Sequence, residues 1–378
     1  MRRWSSIRVL VLAALCGGGA GLASAEEGSG AGAPAAPVAP AAPVAPAAPV
    51  APAAPVTPAA PVAPAADGST PVPGGRRLSD LVYGRASGRD LVLDLYLPSG
   101  ERKRPVPLVV WVHGGGWIAG DKRPCPTAAM LPFGFATASV GYRLATEAVF
   151  PAQIEDVKAA VRWLRANAAT YRLDPARFGA AGASAGGHLV ALLGTAGDAA
   201  DLEGDGGSPG VSSRVQAVLD VCGPTDFLQF HGRGAPVGPD TDGGLFDRLL
   251  GGRIHEKQDL ARRANPIAYV TKDDPPFLLV HGDRDAVVPL DQSRLLKEAL
   301  DAAGVPATLV VVPDAGHDVV RPEVSRAALA FFAKHLMPLT PAAPAPAGDA
   351  PAPSAPPPSA PPPAVPPTPS VPSPSPVR

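Results

Sequence analysis

Gly182-Ala183-Ser184-Ala185-Gly186 sets a serine among small residues, where an apolar run ends and a helical pattern begins. A strand–turn–helix of this kind holds a hydroxyl exposed on a tight, strained turn, the setting of a nucleophile. Serine is a poor nucleophile until a base takes its proton, and the base needs an acid to fix its tautomer. Downstream, Phe277 to Val280 runs into His281-Gly282-Asp283-Arg284-Asp285, and Ala307 to Val312 runs into Asp314-Ala315-Gly316-His317. Serine, aspartate and histidine thus follow one another along the chain, each at the exit of an apolar run. Spacing alone leaves Asp283 and Asp285 both open as the acid. His188, inside the elbow helix, and His281, at a strand end where it would bond backbone, read as structural.

Val106 to Val112 leads directly into His113-Gly114-Gly115-Gly116-Trp117. Successive glycines let backbone N–H groups approach a ligand closely. In acyl transfer such donors, with the N–H after the serine, stabilise the oxyanion of a tetrahedral intermediate. The candidates are Gly114, Gly115, Gly116 and Ala185. This chemistry needs neither metal nor cofactor, and no Cys/His group of metal-ligand spacing is evident in the sequence.

These residues need a scaffold that brings strand ends together. Leu91 to Leu97 alternates as a half-exposed strand would. Val106–Val112, Phe135–Val140, Phe178–Ala181, Val215–Val221, Phe277–Val280 and Ala307–Val312 have the length and apolar character of buried parallel strands. Helical patterns lie between them: Ala152 to Tyr171, opened by Pro151, then Gly187 to Leu193, Asp291 to Ala303 and Pro322 to Leu336. The alternation predicts an α/β fold, a mostly parallel central sheet with helices on both faces. Asp226 to Ala264, rich in glycine and charge, interrupts it as an excursion over the sheet's edge.

Taken together the motifs resemble the α/β-hydrolase superfamily. HGGGW and GxSAGG are similar to those of hormone-sensitive-lipase-like carboxylesterases. The acid segment HGDRDAVVP departs from that group and resembles the bifunctional acetylxylan/feruloyl esterases (BD-FAE-like) and the catalytic domains of prolyl-oligopeptidase-type peptidases. LDLYLP, VGYRLA, FPAQIEDVKAAVRWL and DAGH extend the likeness over about Leu78 to Leu336. The resemblance implies Asp285 as the acid, and a Ser184–Asp285–His317 triad that hydrolyses a carboxylic ester through an acyl-enzyme. A serine peptidase and a non-catalytic binding protein on the same fold are the competing readings. The expected substrate is a small-molecule or polysaccharide-linked ester with a short acyl group, such as acetyl.

Of the 50 prolines, 13 lie between Ala31 and Gly74 and 18 from Pro338 onward, leaving 19 for residues 75–337. The reading is therefore an export signal over 1–25, a Pro/Ala-rich linker over 26–74, a catalytic domain over 75–337 and a Pro-rich tail over 338–378. Arg2, Arg3 and Arg8 precede the apolar run Val9 to Leu15, and Ala23-Ser24-Ala25 offers small residues for cleavage before Glu26. From Pro34 the PAAPVA repeat excludes helix and sheet and predicts a polyproline II rod of roughly 100 Å, suited to holding a domain off a cell surface or wall. A net charge of −1 gives no pull toward nucleic acid. Export would permit a disulfide, but Cys125 and Cys222 read equally well as separate thiols.

Overall fold

β5 (Val106–Val112) is buried along its whole length. Its apolar run lacks polar alternation because both of its faces are covered. Leu108, Val110 and Val112 join one hydrophobic cluster, and Val109 and Trp111 join another. Beside it lie β6 (Ala136–Val140), β7 (Leu173–Ala183), β8 (Val218–Val221), β9 (Phe277–Gly282) and β10 (Ala307–Val312), all parallel, in the order β6-β5-β7-β8-β9-β10. β4 (Arg89–Pro98) joins β6 antiparallel, and β3 (Gly75–Ala86) joins β4. This computed structural model describes residues 69–100, 104–230 and 243–337, with the backbone of 57–58. Among the described residues the strands form one ten-stranded sheet.

Helices cover both faces, as the strand–helix alternation predicts. On the Leu108 side lie α1 (Ala152–Ala166), α2 (Ala168–Tyr171), α3 (Ala185–Thr195) and α6 (Asp291–Ala302), contributing Val157, Leu189 and Leu296. On the other side α7 (Pro322–Leu336) contributes Phe332 and Leu336. The excursion carries α4 (Leu245–Leu250) and α5 (Gln258–Ala264), while 231–242 lie outside the described residues.

The fold departs from the sequence reading in four places. Thr70–Val72 (β2), assigned to the linker, pairs antiparallel with β3, and so does Thr57–Pro58 (β1), from a repeat expected to exclude sheet. Proline removes only one donor and is tolerated on an edge strand, so composition does not forbid the pairing. β3 itself went unread because register shifts between Leu78 and Leu81 and between Val82 and Gly84 break its alternation. β4 is not half-exposed: Asp94, its polar position, is fully buried beneath Arg123, Lys122 and Arg77, and accepts a hydrogen bond from the Asp80 amide at 3.0 Å. The helix expected to run from Ala152 to Tyr171 divides at Asn167, whose Nδ2 donates to the Trp163 carbonyl at 2.8 Å. Cys125 and Cys222 are buried, separate thiols. The expected export signal, most of the repeat and the expected C-terminal tail lie outside the described residues, among which no helix is long and apolar enough to cross a membrane.

Two buried ionisable sites bear on the region around Ser184. Arg143 sits just after β6, and its Nε and Nη2 grip Asp156 of α1 at 2.9 and 2.7 Å, with both side chains fully buried. The grip fixes residues 142–145, from which the Tyr142 hydroxyl donates to the His113 carbonyl at 3.0 Å and the Ala145 amide donates to the Trp117 carbonyl at 2.7 Å. Removing one partner strands a buried charge, so Asp156→Ala should lower unfolding free energy by about 3–5 kcal/mol, measured by urea denaturation.

Asp220 of β8 is the second. Its Oδ1 accepts from the Gly223 amide at 2.9 Å, and its Oδ2 has no hydrogen-bond partner among the described residues. Burial pushes its pKa up to about 7, against a reference of 3.8. The folded state therefore keeps a proton that the unfolded chain gives up, and stability present below pH 4 is lost as pH rises through 7. Asp220→Asn stays neutral throughout. Its stability relative to wild type should rise between pH 4 and pH 8 by up to about 4 kcal/mol, read from paired urea titrations; a flat difference would mean that Asp220 is charged in the fold.

Candidate active site

β7 ends at Ala183 and α3 begins at Ala185, which leaves Ser184 alone to turn the chain. It does so at φ 56° and ψ −122°, a strained conformation for a residue with a side chain. Ser184 N–H donates to the Val221 carbonyl of β8 at 2.8 Å, and its carbonyl accepts from His188 N–H at 3.0 Å. The flanking glycines are steric requirements. A Cβ on Gly182 would lie 2.2 Å from the Gly186 carbonyl oxygen, and one on Gly186 would lie 2.1 Å from that of Val112.

That second contact presses the elbow against the loop leaving β5. A Cβ at Gly114 would lie 3.4 Å from the Ser184 Cβ, so the first glycine of His113–Trp117 borders the serine. Gly115 and Gly116 hold φ of 107° and 59°, which few other residues would adopt. The Gly115 carbonyl accepts from Ile118 and Ala119 at 3.2 and 3.1 Å, closing the turn, while the Gly115 and Gly116 amides make no hydrogen bond among the described residues. Ala185, first residue of α3, has no intrahelical acceptor for its N–H. Among the described residues, donors without a partner thus stand at the N-terminus of α3 and in the loop whose first glycine borders the serine. The Leu245 side chain covers Gly116, where a Cβ would lie 2.5 Å from its Cδ1.

The histidine and the acid come from the exits of β10 and β9. His317 Nδ1 lies 2.7 Å from Asp285 Oδ2, and Asp285 Oδ1 accepts from the Val287 and Val288 amides at 2.8 and 2.9 Å. Burial raises a carboxyl's pKa, but at Asp285 hydrogen bonds from His281, His317 and the Val288 amide outweigh it and hold the group well below the usual carboxylate range. An ionised Asp285 accepts the Nδ1 proton and leaves Nε2 as the basic nitrogen of His317. Its side chain is 22% exposed against zero for Asp285, so the acid is sealed and the imidazole reaches solvent. The His317 carbonyl lies 3.8 Å from Cys222 Sγ, one residue beyond the Val221 that holds Ser184. No hydrogen bond joins Ser184 and His317 among the described residues, a spacing that substrate-free sites often show.

The two aspartates left open by spacing are separated by the fold. Asp283 is exposed, and its backbone amide donates to the Val312 carbonyl at 3.2 Å. His281 bonds backbone as expected, Nε2 to the Val288 carbonyl at 2.8 Å, but also reaches Asp285 Oδ2 at 3.3 Å, which the sequence reading missed. The signal for it was present, a His and an Asp four apart across a tight turn. Cys222, His281 and Asp285 place ligand-type atoms within 4.8 Å of one another. The histidine and the aspartate are engaged in hydrogen bonds that a cation would have to displace, and burial together with the nearby Asp285 pushes the Cys222 thiol well up, keeping it protonated.

Comparison with known proteins accords with this geometry. The family model BD-FAE matches residues 93–300, and a model described as TAP-like protein matches 258–345. Esterase LipQ of Mycobacterium tuberculosis is 32% identical over 256 residues, covering 65% of this chain and 59% of that protein. Esterase LipC of the same organism is 32% identical over 231 residues, covering 60% and 56%. The chain thus spans less than two thirds of the length of these curated relatives. Among solved structures, a truncated carbohydrate esterase from gut microbiota superposes with a TM-score of 0.62 at 33% identity, over 72% of this chain and 98% of that one. A bifunctional GH43-CE protein of Bacteroides eggerthii gives 0.63 at 35% identity, over 68% and 38%. With an α/β-hydrolase fold and a family model matched over more than half its length, the chain belongs to the BD-FAE family.

Proposed function

We propose that this chain is a serine hydrolase that cuts carboxylic esters through an acyl-enzyme. The observation that carries the reading is the 2.7 Å contact between His317 Nδ1 and a sealed, ionised Asp285, at strand exits beside a strained Ser184. Ser184 Oγ attacks the ester carbonyl while His317 Nε2 takes its proton, and Asp285 holds the imidazole's tautomer and stabilises the imidazolium. The oxyanion is received by the Ala185 amide and by amides of the Gly114–Gly116 run, Gly115 and Gly116 having theirs free. Collapse of the intermediate expels the alcohol, which takes the proton from His317. Water, deprotonated by the same nitrogen, then attacks the acyl-enzyme and frees the acid.

The substrate in this reading carries a short acyl group, acetyl or another group borne on a polysaccharide. Support comes from the carbohydrate-esterase descriptions of similar structures and from Leu245 seated on the oxyanion loop. We further propose that the chain is exported, with its proline-rich flanks holding the catalytic domain at a cell surface or wall.

Turnover of p-nitrophenyl acetate, butyrate and palmitate by wild type and three variants tests this. Ser184→Ala should lower kcat by at least about 10⁴-fold. Asp285→Asn, which leaves His317 in the wrong tautomer, should cost on the order of 10⁴-fold, while Asp283→Ala leaves turnover unchanged. A folded wild type as inert as Ser184→Ala would sink the assignment, and turnover confined to palmitate would overturn the short-chain substrate.

A further inference from the structure

His188 takes no part in this mechanism, yet it is fully buried one helical turn below the nucleophile. Both of its ring nitrogens are committed. Trp117 Nε1–H can only donate, and it points at His188 Nδ1 from 3.2 Å. The Ala264 carbonyl at the end of α5 can only accept, and it lies 2.6 Å from Nε2. The ring is therefore neutral with its proton on Nε2, and burial, which draws its pKa down to about 4, keeps it so.

The partner it holds is unusual. Trp117 directly follows Gly114–Gly116 and has φ 61°, a left-handed conformation that is strained for a non-glycine residue. Such strain persists only where the surroundings over-determine it. Here the indole is 1% exposed, edge-on to His188 at 5.3 Å between centroids, and packed on Phe227 and Phe246 at 5.7 and 5.8 Å. One side chain on the nucleophile's helix thus ties down the loop carrying the other oxyanion donors, and fastens both to the excursion that covers them.

We infer that His188 is a positioning residue, which sets the oxyanion hole by bridging Trp117 Nε1 and the Ala264 carbonyl and so fixing Gly115 and Gly116 against Ser184 and Ala185. The inference rests on the serine-hydrolase reading. Donors on a helix N-terminus and on a separate loop must be matched to a fraction of an ångström, and a 1 Å misplacement can cost about 100-fold in rate. A residue that merely fills the core would lower stability when replaced and leave the folded enzyme's rate untouched.

The test uses the full chain and reads both ester turnover and the rate at which a fluorophosphonate labels Ser184, a reaction that also develops charge on an oxygen in the hole. His188→Leu, which can neither accept from Trp117 nor donate to Ala264, should lower kcat and the labelling rate by about 100-fold with KM little changed. His188→Gln can accept through Oε1 and donate through Nε2, and should recover most of the loss. Trp117→Phe removes the indole donor and should reproduce the His188→Leu defect, with the double variant no worse than either single one. If His188→Leu does not fold, His188→Gln and Trp117→Phe still decide the matter. Folded variants that label at the wild-type rate, a change in KM alone, or additive losses in the double variant would each overturn the role of His188. A wild type that fluorophosphonate fails to label would overturn the hydrolase reading itself, and the inference with it.

Discussion

Strand β7 and helix α3 are joined through one residue, and the space around that junction is filled by backbone. The Gly186 position meets the Val112 and His113 carbonyls of the neighbouring strand, and the Gly182 position meets the carbonyl of Gly186. A side chain at either glycine would push the helix off the sheet, and Ser184 would relax from its strained dihedrals. Much of the rest of the site follows from this close contact. It brings the loop after β5 alongside the serine, aims the α3 N-terminus at the same point, and lets the Val221 carbonyl of β8 hold the serine amide.

Electrostatic preparation of the site is a matter of saturated hydrogen bonding around a sealed carboxylate. Burial by itself pushes the Asp285 pKa up. Two amides and the His317 imidazole donate to the carboxylate, with His281 Nε2 a further 3.3 Å away, and these contacts keep it ionised and in one orientation. His281 is itself fixed between the Val288 carbonyl and the Ser293 hydroxyl, 2.7 Å from its Nδ1. The acid is thus oriented by a chain of contacts reaching into α6, so the imidazole of His317 meets a partner that cannot swing away. An oriented, desolvated acid does more for a catalytic base than a mobile one in water, because no solvent must reorganise as charge develops.

The excursion after β8 adds a third constraint. Its aromatic residues Phe227, Phe230 and Phe246 close over Trp117 in one buried cluster, and Leu245 rests on Gly116. A segment that reads as an excursion over the sheet's edge by its glycine and charge is thereby part of the wall behind the His113–Trp117 loop. A residue that moves α4 therefore also moves the cover over Gly116.

Features whose physics is local were legible along the chain. Turn glycines, buried strands without polar alternation, and a serine, an aspartate and a histidine at successive strand exits are all short-range patterns, and they were enough to place the α/β architecture and the motifs. Features that depend on contacts between distant segments were decided by the tertiary structure. Asp283 and Asp285 differ by two positions in one loop, and only the fold turns one toward His317 and the other to solvent. Asp94 reads as an exposed strand position until Arg77, Lys122 and Arg123 are folded over it, and β3 has no alternation to read because its bulges shift the register. Trp117 and His188 are separated by 71 residues, so nothing in their local sequence announces the hydrogen bond between them. Spacing along a chain fixes which face of a strand or helix a residue occupies, whereas which side chain lies opposite is set by how the layers pack.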